Sequence, residues 1–582
     1  MHRRIILGLV LALSVQAAVG QEAPQTSARL PPEIATGFTP KPLVQAKRWM
    51  AAVANPYAAA AAAEMLREGG SAVDAAIAAQ LVLGLVEPQS SGLGGGAFLV
   101  AWDAARKELT TFDGRETAPA AATASLFQDE RGEPLAFMDA VVGGRSVGTP
   151  GAPRLLEAAH RRFGKLPWAR LFGPAVALAD NGFEVSPRLA AQIAADAPRL
   201  ARNPTARAYF LPEGRPLEAG QRLKNPAYAD TLRTLRDLGA DAFYEGPIAA
   251  DIVATVRGAQ NPGVLSAADL AGFRAIERPA VCGGYRAYQI CGMGPPSSGG
   301  VAVAEILGLL EPTDVAALGP DSPQAWRLIG DASRLAFADR DRYLADPAFA
   351  PQPTAGLLAR DYLAARSRLL DGSRALPAVE PGSPKGTRAE NFTPDAAIEF
   401  PGTSHLSIVD ADGNVVSMTT TIEAGFGSRL MTRGFLLNNE LTDFSFLAER
   451  DGRPVLNRVE PGKRPRSSMA PTIVLKDGRP TLAIGSPGGS QIIGFVVKAL
   501  IAHLDWGMDV AAAIALPNML NRNGPFELER GTAAEAMAAP LRDLGYEIRL
   551  TDLTSGLQAV AIGPDGLAGA ADPRREGVAV GE

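Results

Sequence analysis

The 582-residue chain predicts a layered α+β sandwich, and two patterns carry that prediction. Three apolar hairpins recur in its second half. Ser404 to Val409 and Val415 to Ile422 flank Asp410-Ala411-Asp412-Gly413-Asn414, Thr472 to Leu475 and Thr481 to Ile484 flank Lys476-Asp477-Gly478, and Val560 to Ile562 and Leu567 to Ala571 flank Pro564-Asp565-Gly566. Helical segments alternate with strands throughout, so each sheet has helices available to cover it. No periodic repeat and no low-complexity tract interrupts this alternation, apart from one alanine-rich helix.

Taken in order, Asn55-Pro56 opens that helix, which runs through Arg67 and ends at Gly69-Gly70. Ser71 caps a second helix, Ala72 to Leu85. Pro88 to Gly96 is a turn-rich loop leading into a strand at Ala97 to Trp102, a turn near Ala104 to Lys107, and a strand at Glu108 to Phe112. From Gly148 to about Pro279 the pattern is mostly helical. Around Pro351 to Phe400 proline and charge increase and periodicity weakens, the composition of an exposed connector. The connector ends at Thr403. Beyond the first two hairpins, Gly489 to His503 and Met508 to Ala515 read as covering helices.

Composition excludes several classes. Net charge is −5 with acids and bases well mixed, and no basic run or aromatic-basic interleaving points to nucleic acid. The first 20 residues read as a leader: His2-Arg3-Arg4, an apolar stretch from Ile5 to Val15, then Ala18-Val19-Gly20 before a cut preceding Gln21. The expected product is exported and periplasmic, with a retained anchor as the alternative. Apart from that stretch, the longest apolar run, Ala75 to Val86, is interrupted by Gln80 and falls short of a membrane span. Cys282 and Cys291 bracket a short turn, as either a disulfide or two buried thiols.

The chemistry-bearing residues narrow quickly. Only four histidines exist, His2, His160, His405 and His503, and none has the spacing of a zinc site. No Gly-x-Ser-x-Gly elbow precedes a plausible triad histidine. No metal or organic cofactor is implied. What remains is Gly402-Thr403, a threonine opening a strand directly after a residue without a side chain. Such a hydroxyl can attack the preceding carbonyl and turn the peptide into an ester. Water then releases an N-terminal threonine whose α-amine, with a pKa of about 7.7–8.0, is its own base.

At this point the chain resembles the γ-glutamyltranspeptidases, members of the N-terminal-nucleophile hydrolases. The resemblance runs from Asn55 to Glu576 and rests on Glu87 to Phe98 (EPQSSGLGGGAF), Asp113 to Pro119 (DGRETAP) and Gly294 to Gly300 (GPPSSGG). After Thr403 to Ser407 it continues in Leu437 to Phe444 (LNNELTDF), Lys463 to Met469 (KRPRSSM) and Gly485 to Ser490 (GSPGGS). It implies a four-layer αββα sandwich built jointly by two fragments of one self-cleaved precursor. The large fragment would be 21–402 and the small one 403–582, associated as a heterodimer.

The resemblance also implies roles. Thr403 matches the catalytic threonine and Thr421 the threonine that hydrogen-bonds it. Gly488 and Gly489 match the oxyanion site, where backbone amides stabilise a tetrahedral oxygen. Arg115 can pair bidentately with the substrate's α-carboxylate, Ser467 and Ser468 can add hydroxyl donors, and Asp443 with Glu440 beside it can hold the ammonium. The implied donors are glutathione and other γ-glutamyl compounds, and the acceptors are water, amino acids or dipeptides. Two departures stand out. Glu423 occupies a position commonly asparagine in the family, and Phe444 to Arg466 contains no tyrosine or tryptophan, so a more open site is expected. A glutaryl-type acylase resembling the cephalosporin acylases is the first alternative, and a γ-glutamyl-binding protein that never cleaves is the second.

Overall fold

The computed structural model describes residues 35–386, 392–397 and 399–582; the expected leader lies outside them. Two seven-stranded sheets, antiparallel throughout, pack face to face between two helical layers. This is the αββα sandwich of the N-terminal-nucleophile hydrolases. The first sheet runs, edge to edge, Val578–Gly581, Met50–Val53, Thr403–Val409, Val415–Thr421, Gly96–Asp103, Glu108–Asp113 and Ile276–Arg278. The second runs Val44–Ala46, Gly566–Ala571, Gln558–Gly563, Arg479–Gly485, Thr472–Lys476, Tyr288–Gly292 and Val281–Tyr285. Both sheets contain strands from before and after Thr403, so the two parts of the chain are hydrogen-bonded to each other within each sheet.

Strand alternation decides which layer each residue joins. Leu406, Ile408, Val416 and Met418 face the helices Pro56–Arg67 and Ala72–Val86. Val409 and Val415 face the other sheet, against Ile473, Ala483 and Val560. Towards Thr403 the same inward face turns polar, with His405, Ser407, Ser417 and Thr419 all fully buried. Their hydroxyls and ring nitrogens pair with one another and with the second sheet, Ser407 donating to the Gln558 carbonyl at 3.1 Å and Ser417 to that of Ile484 at 3.0 Å.

The helix Ala72–Val86 is apolar all round because it is buried all round. Its start is fixed by reciprocal bonds between Ser71 and Asp74. No helix among the described residues is long and apolar enough to cross a membrane.

At the level of secondary structure, the protein departs from the sequence reading in two places. Residues 351–400 are not a bare connector: they contain helices Thr354–Leu357 and Arg360–Ser367, and Leu357, Leu370, Asp395 and Glu399 are buried. The partners that bury those acids, Arg340 and Arg466, lie 59 to 71 residues away in sequence, beyond any local pattern. The helix expected from Gly489 begins as a 3-10 turn at Gly489–Gln491 and becomes α-helical only at Ile492, because Gly488 and Gly489 both take positive φ. The cysteine alternative resolves as a disulfide between Cys282 and Cys291, which face each other in register across the outermost hairpin of the second sheet.

A crosslink with a sequence separation of nine constrains little of the unfolded chain, about 2.5 kcal/mol by loop entropy. Replacing both cysteines by serine should therefore lower stability by no more than about that amount, read by urea unfolding, and leave the fold intact.

Candidate functional site

Thr403 opens its strand directly opposite Thr421. Both are 3% exposed. The Thr403 hydroxyl donates to Thr421 Oγ1 at 3.4 Å, and the Thr421 hydroxyl donates to the Gly402 carbonyl oxygen at 2.8 Å. Thr421 Oγ1 also accepts from the Glu423 amide at 2.8 Å, which orients its proton towards Gly402. The arrangement places a hydroxyl beside the carbonyl it would attack and a second hydroxyl on that carbonyl's oxygen.

Gly402 is where the backbone is tightest. A Cβ there would overlap the Glu423 carbonyl oxygen and stand 2.8 Å from the Ala424 carbonyl carbon. Only glycine passes. Glu423 itself takes φ of +77°, a left-handed conformation costing a non-glycine residue about 1 kcal/mol or more. Its carboxylate is held by the Phe400 amide at 2.8 Å and by Asn439. Gly489 faces the same segment: a Cβ there would stand 2.7 Å from the carbonyl oxygens of both Glu399 and Phe400. The Gly488–Gly489 turn and the last residues before Gly402 are therefore neighbours.

Arg115 lies in a pocket of acids. Its guanidinium pairs with Glu440 and Asp443 and donates to the carbonyls of Pro465 at 3.1 Å and Arg466 at 2.7 Å. The sequence reading assigns these three side chains to opposite ends of a substrate; in the unbroken chain they hold one another. Burial pushes the carboxyls of Glu116, Glu440 and Asp443 upward, with Arg115 opposing. Burial and then Glu440 push Glu423 up to about 8. Ionised carboxyls this close repel one another, and the pocket supplies one central cation against them.

Ser467 and Ser468 are both buried beside this pocket. Ser467 Oγ accepts from the Met469 amide at 3.1 Å, and its carbonyl accepts from Ser298. Ser468 Oγ accepts from Arg340 at 2.7 Å. The glycine-rich run Gly294 to Gly300 is thereby tied to the Lys463–Met469 run, two motifs far apart in sequence.

Behind Thr403, Ser404 donates to Glu87 at 2.8 Å, and Arg575 donates to the Thr403 carbonyl at 3.2 Å. Burial raises the Glu87 carboxyl to about 7. Burial alone lowers His405 to about 3, so its ring is neutral and serves the Thr419 and Ser407 hydroxyls at 2.8 and 3.1 Å. The segment without tyrosine or tryptophan still supplies an aromatic. Phe446 stacks on Phe127 at 4.6 Å and lies 5.8 Å from Phe137, which stacks on Phe400 at 4.3 Å.

Of the residues named from sequence, Thr403, Thr421 and Glu423 cluster around Gly402, and Arg115, Glu440 and Asp443 form one ion-paired group. Glu87, Glu116, Arg340, Glu399, Asn439, Arg466 and Arg575 also belong to this neighbourhood and were not singled out. Four of them, Glu87, Glu116, Asn439 and Arg466, stand inside motifs already quoted, and the charge of Glu87, Glu116 and Arg466 there was an available signal. Glu399, Arg340 and Arg575 carried none.

Known proteins are similar to this chain along nearly its whole length. The family model described as gamma-glutamyltranspeptidase matches residues 58–582. A glutathione hydrolase proenzyme of Bacillus subtilis (strain 168) is 34% identical over 584 residues, covering 98% of each chain. One from Escherichia coli (strain K12) is 35% identical, covering 98% of this chain and 97% of its own. Among solved structures, a cephalosporin acylase from Bacillus halodurans superposes with a TM-score of 0.82 at 26% identity, over 95% of this chain and 99% of that one.

Two outcomes follow from the geometry. Thr421→Val removes the hydroxyl on the Gly402 carbonyl and should slow any cleavage at Gly402–Thr403 at least tenfold in an intact-mass time course, with Thr421→Ser close to wild type. Glu423 is an acid raised in the folded state, so the folded chain binds more protons than the unfolded one between its ordinary value and about pH 8. Stability should therefore fall as pH rises through that window, and Glu423→Gln should flatten the fall, measured by thermal unfolding of a Thr403→Ala chain that stays whole.

Proposed function

The chain belongs to the γ-glutamyltranspeptidase family of enzymes, and from that premise we propose that it is a self-processing γ-glutamyltransferase and glutathione hydrolase, exported to the periplasm. The observation that carries this reading is the hydroxyl pair at the Gly402 carbonyl. In maturation, Thr403 Oγ attacks the Gly402 carbonyl carbon while the Thr421 hydroxyl donates to the oxygen on which charge develops. The C–N bond breaks, the proton from Thr403 Oγ ends on its own nitrogen, and the resulting ester is hydrolysed by water. The products are a large fragment, 21–402, ending in a carboxylate and a small one, 403–582, beginning with a free amine.

In turnover that amine takes the Thr403 hydroxyl proton as the oxygen attacks the γ-amide of the donor, and returns it to the departing amine. The amides of Gly488 and Gly489 receive the oxyanion. Water or an amino acid or dipeptide acceptor then resolves the γ-glutamyl-enzyme. Asp443, with Glu440 beside it, would recognise the donor's ammonium by accepting its N–H groups, with Ser467 and Ser468 near its carboxylate. The interleaved ladders of both sheets support a stable heterodimer after the cut.

One observation favours a second reading, a glutaryl-type acylase. Glu440 and Asp443 are compensated by Arg115, so they do not by themselves repel a donor without an ammonium, and a cephalosporin acylase shares the fold along the whole chain.

Intact mass of the purified protein should show two species meeting between Gly402 and Thr403, and Thr403→Ala should give one chain with no turnover. On a panel of anilides, γ-glutamyl should be cleaved with a kcat/KM at least tenfold above glutaryl; the reverse order would favour the acylase.

A further inference from the structure

Residues 36–41 form an arm laid along 573–577, near the other end of the chain. Thr36 donates from its amide and from its hydroxyl to the Arg574 carbonyl at 3.1 and 3.2 Å, and the Thr39 amide donates to the Pro573 carbonyl at 2.9 Å. The Arg574 guanidinium lies over Phe38, 5.3 Å from the ring centre. Lys41 Nζ then donates to the Arg575 carbonyl at 2.5 Å and to the Gly577 carbonyl. Burial lowers the Lys41 ammonium, and Asp572, Glu576 and Glu87 oppose that shift. After a cut at Gly402–Thr403 the arm belongs to the large fragment and 573–577 to the small one. These bonds therefore clasp one fragment to the other.

What the clasp holds reaches Thr403. Arg575, whose carbonyl takes the Lys41 bond, donates from Nη1 to the Thr403 carbonyl at 3.2 Å and from Nη2 to that of Thr554 at 3.4 Å. The next side chain, Glu576, accepts from the Arg188 amide at 3.1 Å. Arg575 also meets the turn that carries Gly488 and Gly489. A Cβ on Gly556 would stand 2.7 Å from Arg575 Cδ and 2.6 Å from Cγ of Pro487, the residue before Gly488. One ammonium thus pins the backbone from which a guanidinium extends to the strand opened by Thr403.

Cleavage makes Thr403 a chain end, and chain ends fray unless they are tied down. A guanidinium on its carbonyl oxygen fixes the peptide plane that follows Thr403, and with it the direction of the Cα–Cβ bond. A misplacement of about 1 Å at a reacting atom costs on the order of a hundredfold in rate. We propose that the 36–41 arm positions the nucleophile, with Lys41 as the residue that, by pinning 575–577, holds Arg575 against the Thr403 carbonyl. Lys41 touches neither substrate nor reacting atoms; it acts through Arg575. The inference rests on maturation at Gly402–Thr403 and deepens the function argued above by giving the start of the large fragment a part in it.

The test uses the purified, exported protein and the γ-glutamyl anilide, with intact mass recorded beside the kinetics. Lys41→Met should lower kcat at least fivefold and leave KM within twofold, because the donor's own contacts are untouched. Lys41→Arg, which keeps a charged donor of similar reach, should return kcat to within twofold of wild type. Lys47→Met is the control: Lys47 is exposed and donates to the Asp565 carbonyl in a hairpin turn, so its loss should leave kcat and KM within twofold. Should Lys41→Met stay whole, the rate of cleavage replaces kcat, and Lys41→Gln should cleave at least fivefold more slowly than Lys41→Arg. A cleaved Lys41→Met with wild-type kcat, a change in KM as large as the loss of kcat, a Lys41→Arg as impaired as Lys41→Met, or a Lys41→Gln no slower than Lys41→Arg overturns the positioning role and leaves the wider function standing. A wild-type chain that stays whole and inert overturns both.

Discussion

The pairing of Thr403 with Thr421 is the constraint on which the rest of this structure depends. The hydroxyl contact at Gly402 exists only because two strands meet in one register, and a slip of a single residue would turn Thr403 towards the helices. The sandwich enforces that register from both sides. Leu406, Ile408, Val416 and Met418 are anchored in the helical layer, while Val409 and Val415 are anchored between the sheets. Flanking strands Met50–Val53 and Gly96–Asp103 pair with the hairpin on both sides, so neither of its strands is an edge.

Chemistry needs polar groups where the fold needs apolar ones, and the inter-sheet layer divides between them along its length. At one end it is aliphatic; near Thr403 it is a network of hydroxyls around a neutral histidine. Gly485 makes that possible, since a Cβ there would overlap the His405 ring. Each polar group in this layer answers another, which keeps the cost of burying it small. The result is that the strand opened by Thr403 is tied by hydrogen bonds to the second sheet.

The pocket itself is governed by charge. Arg115, Arg340 and Arg466 are almost completely buried, and so are Glu116, Glu399, Glu423, Glu440 and Asp443. Removing one member of such a set strands its partners, which is costlier than the set is worth as a whole. Burial pushes the carboxyls of Glu116, Glu440 and Asp443 upward, while Arg340 and Arg466 hold that of Glu399 below its ordinary value.

Local sequence carried the elements that local physics governs. The hairpin around Asp410 to Asn414, the capped helix after Ser71, the sharp passage at Gly402 and the nucleophile at Thr403 were legible because turn chemistry, capping and strand alternation act within a few residues. The motifs around Arg115, Asp443, Ser467 and Gly488 marked the site through family resemblance. What each side chain touches was not legible. Arg115 turning to Glu440 and Asp443, Glu399 reaching Arg340 and Arg466, and Phe446 joining Phe137 beside Phe400 are contacts between segments tens to hundreds of residues apart, set by how the two sheets and their helices stack. Sequence alone marked the residue types suited to the chemistry and the Gly402–Thr403 junction; tertiary packing decided which charges pair with which, because ion pairs and burial depend on proximity in space rather than along the chain.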